Sequence, residues 1–213
     1  MRVWVMAAVL SACFSGVAGA EGERAGAFDY YVLALSWTPS WCAIEGDARG
    51  SEQCEAGQGF GFTLHGLWPQ YEAGWPSYCP TVERAPSRAM TRDQAGVFGA
   101  SGLAWHQWNK HGTCTGLSAE EYYRLSQVAY GRVSRPEILR RLEREVRVPA
   151  AVIEEAFLEA NPDLEADMLT VTCRDGRIQE VRVCLTRELE PRICAPDVRR
   201  DCGMEDAVFA PMR

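Results

Sequence analysis

The chain is nearly without lysine: Lys110 stands alone against 21 arginines, and only three histidines occur, His65, His106 and His111. Positive charge is short as well, with a formal net charge of -7 at pH 7, so the broad basic footprint of a nucleic-acid binder is missing. Any nucleic acid must be held by a local pocket. The longest apolar run, Val3 to Leu10, falls well below bilayer-spanning length, and no membrane span is expected. No CxxC pair or comparable spacing marks a zinc site. No Asn-x-Ser/Thr acceptor, internal repeat or low-complexity tract occurs. With 47% apolar and 24% charged residues, disordered, collagenous and coiled-coil classes are excluded.

What is present begins with an export pattern. Residues 1–20 carry an early basic residue, Arg2, an apolar stretch, and then Ala18, Gly19 and Ala20 before Glu21, which reads as a secretory signal. A lipoprotein box lipidated at Cys13 is the competing reading; the preferred one makes Cys13 an incidental residue of a discarded peptide. Residues 21–213 suffice for one core and are short for two, so a single domain is expected. Loss of Arg2 takes the net charge to -8, since the signal holds no acidic residue. Eight cysteines remain: Cys42, Cys54, Cys79, Cys114, Cys173, Cys184, Cys194 and Cys202. In an oxidising compartment an even set reads as four disulfides, with about a hundred connectivities open to sequence alone. The short signal and the missing glycosylation acceptors favour a bacterial periplasm, or secretion, over a eukaryotic route.

Residues 28–37 are aromatic and β-branched enough for a central strand, ended by Thr38 and Pro39. A second strand is expected over residues 60–67, closed by Trp68 and Pro69 because proline cannot continue a central ladder. Residues 71–102 read as loops with one short helix. A helix is expected over residues 103–111, with Gly112 as its left-handed terminator. Three more carry start signals: capping boxes Ser118 with Glu121 and Ser134 with Glu137, and Pro149 opening a helix that ends at Asn161 and Pro162. Tyr122, Leu125, Ile138, Leu142, Ile153 and Phe157 recur at spacings of three and four, as core faces do. Residues 168–173 and 178–185 alternate around Asp175 and Gly176, a hairpin signal. Helices in the middle and strands at both ends point to an α+β domain, a central antiparallel β-sheet with several packed helices.

All three histidines and the lysine fall in two short blocks, residues 62–69 and 105–114. On a helix His106 stands over Lys110 and Gln107 over His111, giving four polar groups on one edge. His65, at a strand end, can face that edge across a cleft. Two imidazoles, one neutral and one protonated, can take a proton from a ribose hydroxyl and deliver one to a departing oxygen, as RNA cleavage requires. A lysine is a compact charge suited to one phosphoryl oxygen, and with the other helix histidine it can stabilise five-coordinate phosphorus.

The blocks His65-Gly66-Leu67-Trp68-Pro69 and Lys110-His111-Gly112-Thr113-Cys114 resemble the two active-site blocks of the ribonuclease T2 family. Phe28-Asp29-Tyr30-Tyr31 and Leu35-Ser36-Trp37-Thr38-Pro39 are similar to its first strand. The resemblance implies an endoribonuclease acting on single-stranded RNA, not DNA, through a 2′,3′-cyclic phosphate to 3′-phosphate ends, with low base specificity and without metal or other cofactor. It implies His65 and His111 as the acid and base pair, His111 being the base in cleavage, with His106 and Lys110 on the phosphate and Trp68 stacked on a nucleobase. It further implies the disulfides Cys42 with Cys54, Cys79 with Cys114, Cys173 with Cys202 and Cys184 with Cys194. The second of these would fix the distance between His65 and His111. One departure stands out: the family commonly has glutamate where this chain has Gln107, an amide that cannot accept a proton or raise a neighbouring imidazole's pKa.

Singly, each of these residues has an ordinary explanation: a strand-end or helix-end histidine, a solvated lysine, a core tryptophan. Trp105 and Trp108 keep the core reading. A metal site fails on spacing, since His106 and His111 are five apart and on different helix faces. A monomer is expected. An impaired RNA-binding or inhibitory protein on the same scaffold is the alternative, motivated by Gln107.

Overall fold

A computed structural model describes residues 23–213; the expected signal segment and Cys13 lie outside the described residues. In chain order the elements are β1 Tyr30–Trp37, α1 Thr38–Trp41, β2 Phe62–Gln70, α2 Arg88–Asp93, α3 Ala95–Phe98, α4 Ser101–Lys110, α5 Ala119–Arg132, α6 Glu137–Arg140, β3 Val146–Val148, α7 Ala150–Ala160, β4 Leu169–Arg174, β5 Arg177–Leu185 and β6 Ala207–Phe209. The sheet runs β2-β1-β5-β6-β3, with β4 also paired to β5, and is antiparallel apart from one parallel contact between β5 and β6. This is an α+β fold.

β1 is buried along nearly its whole length because both faces of the sheet are covered. Its period of two sends Tyr31, Leu33, Leu35 and Trp37 into the main core, and Tyr30 and Val32 into a smaller cluster with Cys184, Cys194, Ala195 and Val198. The β4–β5 hairpin turns at Asp175 and Gly176, both with positive φ, as a tight two-residue turn requires. The capping box at Ser118 is formed: Glu121 N–H donates to Ser118 Oγ, and Ser118 N–H to the Glu121 carboxylate.

Several expectations are corrected. β2 continues through Trp68 and Pro69 to Gln70, because among the described residues it pairs only with β1 and a proline is tolerated on an edge strand. Residues 71–102 hold α2 and α3 and the start of α4, more than one short helix; Ser87 caps α2 by accepting from Met90 N–H. Gly112 is not left-handed. It opens a 3₁₀ turn, Gly112–Thr115, that ends at left-handed Gly116; a Cβ on Gly112 would sit 2.5 Å from the Trp108 ring and 3.0 Å from Tyr122. Ser134 caps nothing: α6 begins after Pro136 without a side-chain cap, and Ser134 N–H donates to Asn161 Oδ1. Ile138, on that single turn, is 74% exposed, since so short a helix has no second turn to press it inward.

The four disulfides are Cys42–Cys54, Cys79–Cys114, Cys173–Cys202 and Cys184–Cys194, the connectivity that the resemblance implies. Cys79–Cys114 anchors the loop after β2 to the turn after α4. Tyr122 Oη of α5 donates to the Leu67 carbonyl of β2 at 3.2 Å, so strand and helix layers are tied beside His65.

Candidate active site

β2 and the end of α4 meet at a cleft of about 280 Å³. His65, Trp68, His106, Gln107, Lys110 and His111 all line it, so every candidate catalytic and binding residue shares one cavity. A second cavity of about 600 Å³ opens beyond His65 and His106, bounded also by Thr38, Thr63 and Leu103.

The glycine of the first block has a packing reason. A Cβ on Gly66 would lie 2.3 Å from both Gln107 Oε1 and Trp68 Nε1, and these two atoms are hydrogen-bonded to each other at 2.8 Å with the indole donating. Gln107 is therefore buried and turned toward Trp68, not displayed on an open helix edge. Trp68 in turn stacks on His111, centroids 5.2 Å apart and planes at 26°. Part of its surface holds that imidazole; the rest faces the cleft.

His111 is buried and caps α4, its N–H donating to the Gln107 carbonyl. Its Nδ1 has no hydrogen-bond partner among the described residues. Burial, followed by the charges of Lys110, His65 and His106, pushes its pKa down to about 3. His106 is exposed at the cleft rim and is lowered too, by partial desolvation and then by Lys110 and His65. A buried neutral imidazole and a lysine thus stand one residue apart.

Sequence reasoning missed the group behind His65. Glu180 of β5, 1% exposed, places Oε1 2.5 Å from His65 Nδ1, while its Oε2 accepts from Arg182 Nε and Nη2 at 2.9 and 2.7 Å. Burial by itself would raise this carboxyl, but His65 and Arg182, through charge and hydrogen bonds, hold it down at about 2. Arg182 lines the cleft and lies 5.4 Å from the Trp68 ring. A signal existed: Glu180 and Arg182 are two apart on a strand, hence on one face, amid Ile178, Val181 and Val183. Trp75, exposed and lining the cleft, was also missed. Trp108 is core as expected, but Trp105 is 48% exposed, because α4 packs through Ala104, Gln107 and Trp108 and short α2 leaves Trp105 uncovered.

Among the described residues the one cluster of metal-ligand types is Cys42, Asp47 and Cys54. Its two sulfurs are bonded to each other and Asp47 is held by Arg213, so it offers no metal centre. No helix among the described residues is long and apolar enough to cross a membrane.

The sequence pattern of the Ribonuclease T2 family matches residues 28–194. A ribonuclease of Aeromonas hydrophila is 44% identical over 124 residues, 58% of this chain and 54% of that protein. A probable ribonuclease of Haemophilus influenzae is 30% identical over 120 residues, 51% of this chain and 44% of that one. The chain thus spans about half the length of the curated relatives it matches. Among solved structures, an RNase-related protein from Calystegia sepium superimposes with a TM-score of 0.65 at 20% identity, covering 87% of this chain and 97% of the other. Trichomaglin, described as an S-like ribonuclease, does so at 0.65 and 21%, covering 86% and 98%. At such identities these structures speak for the fold alone. Pattern, relatives and fold agree, and the chain belongs to the ribonuclease T2 family.

Proposed function

We propose that the protein is an exported, metal-independent endoribonuclease acting as a monomer on single-stranded RNA. It cleaves by transesterification through a 2′,3′-cyclic phosphate to 3′-phosphate ends, with low base specificity. The observation that carries this reading is the convergence of His65, His106, Lys110 and His111, from distant stretches of chain, on one cleft. Family membership supports RNA as substrate, and four disulfides suit an oxidising periplasmic or extracellular space.

In the first step neutral His111 accepts the proton of the ribose 2′-hydroxyl, and that oxygen attacks phosphorus. His65 gives its proton to the departing 5′-oxygen. Glu180 accepts a hydrogen bond from Nδ1–H of His65, which leaves Nε2–H for the leaving group and places a negative charge beside the imidazolium. Lys110 and His106 stabilise the charge on the non-bridging oxygens. In the second step the roles reverse: His65 activates water, and His111 returns its proton to the 2′-oxygen as the cyclic phosphate opens. Trp68 and Trp75 offer aromatic surface to a base, which demands no particular sequence.

Incubating the disulfide-bonded protein with each of four homopolymeric RNAs in EDTA, and identifying product ends, tests the proposal. Soluble products ending in cyclic and then 3′-phosphate are expected. Tight binding without cleavage would favour an inhibitory RNA-binding protein instead, the reading to which Gln107 alone would point.

A further inference from the structure

We infer that the groove beside Trp105 is an additional binding site for the RNA strand, holding a phosphate and a stacked base beyond the two cavities that meet at His65 and His106. The inference rests on the ribonuclease reading and extends the path of its substrate.

The groove, about 410 Å³, is lined by Arg88, Arg92, Ser101, Gly102 and Trp105, with no carboxylate among its lining residues. Gly102 also lines the 600 Å³ cavity that reaches His65 and His106, so the two spaces adjoin at this residue. Arg88 and Arg92 stand one turn apart on one face of α2. Neither makes an ion pair or side-chain hydrogen bond among the described residues, whereas Arg174, Arg182 and Arg192 are each taken up by a carboxylate. In a chain of net charge -7, two unpaired guanidinium groups converging on one groove form a local anion site.

The aromatic half of the site is Trp105. Leaving an indole in water forfeits apolar burial, and what marks this one is its place beside two guanidinium groups. The exposed aromatics among the described residues are Trp75, Tyr78 and Trp105, and each borders α4. Trp75 lines the cleft, Tyr78 N–H donates to the Lys110 carbonyl at 2.8 Å, and Trp105 precedes His106 on the helix. A free indole beside free guanidinium groups is the pairing that holds single-stranded nucleic acid without reading its sequence. The first turn of α4, whose start lacks a side-chain cap, lines the same groove.

The test compares a dinucleoside monophosphate, too short to reach the groove, with long polyuridylate. In Trp105→Ala and in the double variant Arg88→Gln/Arg92→Gln, KM for the polymer should rise roughly five- to fifty-fold, with kcat/KM for the dinucleotide unchanged. Binding of a labelled uridine decamer to His65→Ala protein should lose about 0.7 from its log–log salt slope when both arginines are replaced, since one phosphate contact is removed. Unchanged polymer KM, or a salt slope that does not fall, would overturn the inference. A wild-type protein that cleaves neither substrate would sink the ribonuclease reading instead, and decamer binding would still decide for or against the groove.

Discussion

Glu180→Gln removes a negative charge from behind His65 and leaves an amide of the same size that can still accept from Nδ1. Two unit charges about 4 Å apart at an effective dielectric constant near 20 interact by about 4 kcal/mol. That figure is an upper bound here, because Arg182 already shares the carboxylate and the His65 side chain is 33% exposed. About a third of it, roughly 1.4 kcal/mol, is expected to reach the reaction. Glu180 fixes the orientation and tautomer of His65 and sets a negative charge beside it; the amide keeps the hydrogen bond and loses the charge. At neutral pH kcat for a dinucleoside monophosphate should therefore fall about ten-fold with KM little changed. Near-UV circular dichroism checks that the variant is folded, since Arg182 loses its partner but can turn to solvent. A folded Glu180→Gln protein that cleaves the dinucleotide with the wild-type kcat would refute the role given to Glu180.

Gln107→Glu, which restores the family's carboxylate, should move the acidic limb to higher pH by raising the pKa of neighbouring His111; identical profiles would show that this carboxylate is irrelevant here. Replacing either His65 or His111 by alanine should reduce RNA cleavage by at least a hundred-fold, measured as acid-soluble nucleotide, and an undiminished rate would refute the acid–base pair. His111 also makes stability depend on pH. Its folded pKa, about 3, lies below the ordinary 6.5, so on acidification the unfolded chain takes up a proton that the folded one refuses. Urea unfolding should therefore show stability falling by about 1.4 kcal/mol per unit between pH 6.5 and 4.5, with His106 acting in the same direction, and His111→Asn should flatten that slope. Glu180 acts lower: its stabilisation is present above about 4.5 and lost as the pH falls toward 2. Removing the Cys79–Cys114 bridge, 35 residues apart, with paired alanines should cost about 4 kcal/mol and lower Tm by about 10 °C in calorimetry.

Local chemistry was legible where the cause lies within a few residues. The β1 alternation, the Asp175–Gly176 turn, the Ser118 capping box and the order of helices and strands follow from neighbours in the chain. The two histidine blocks were legible for the same reason, since spacing alone brings His106, Lys110 and His111 to one helix end. Misreadings arose where a distant partner decides. Pro69 stays in its strand because among the described residues no further strand lies outside β2, and the Ser134 backbone is held by Asn161 while α6 starts only after Pro136.

By itself, then, the sequence determined the α+β class, the family and the three histidines, the lysine, Gln107 and Trp68 of the cleft, though not Glu180, Arg182 or Trp75. Tertiary structure alone decided their states. Glu180 reaches His65 across 115 residues of chain, Trp68 clamps His111 while bonded to Gln107, and Trp105 is left uncovered by a neighbour too short to hide it. The physical reason is that burial and charge proximity are properties of packed neighbours, and no window of sequence contains the neighbours that folding brings together.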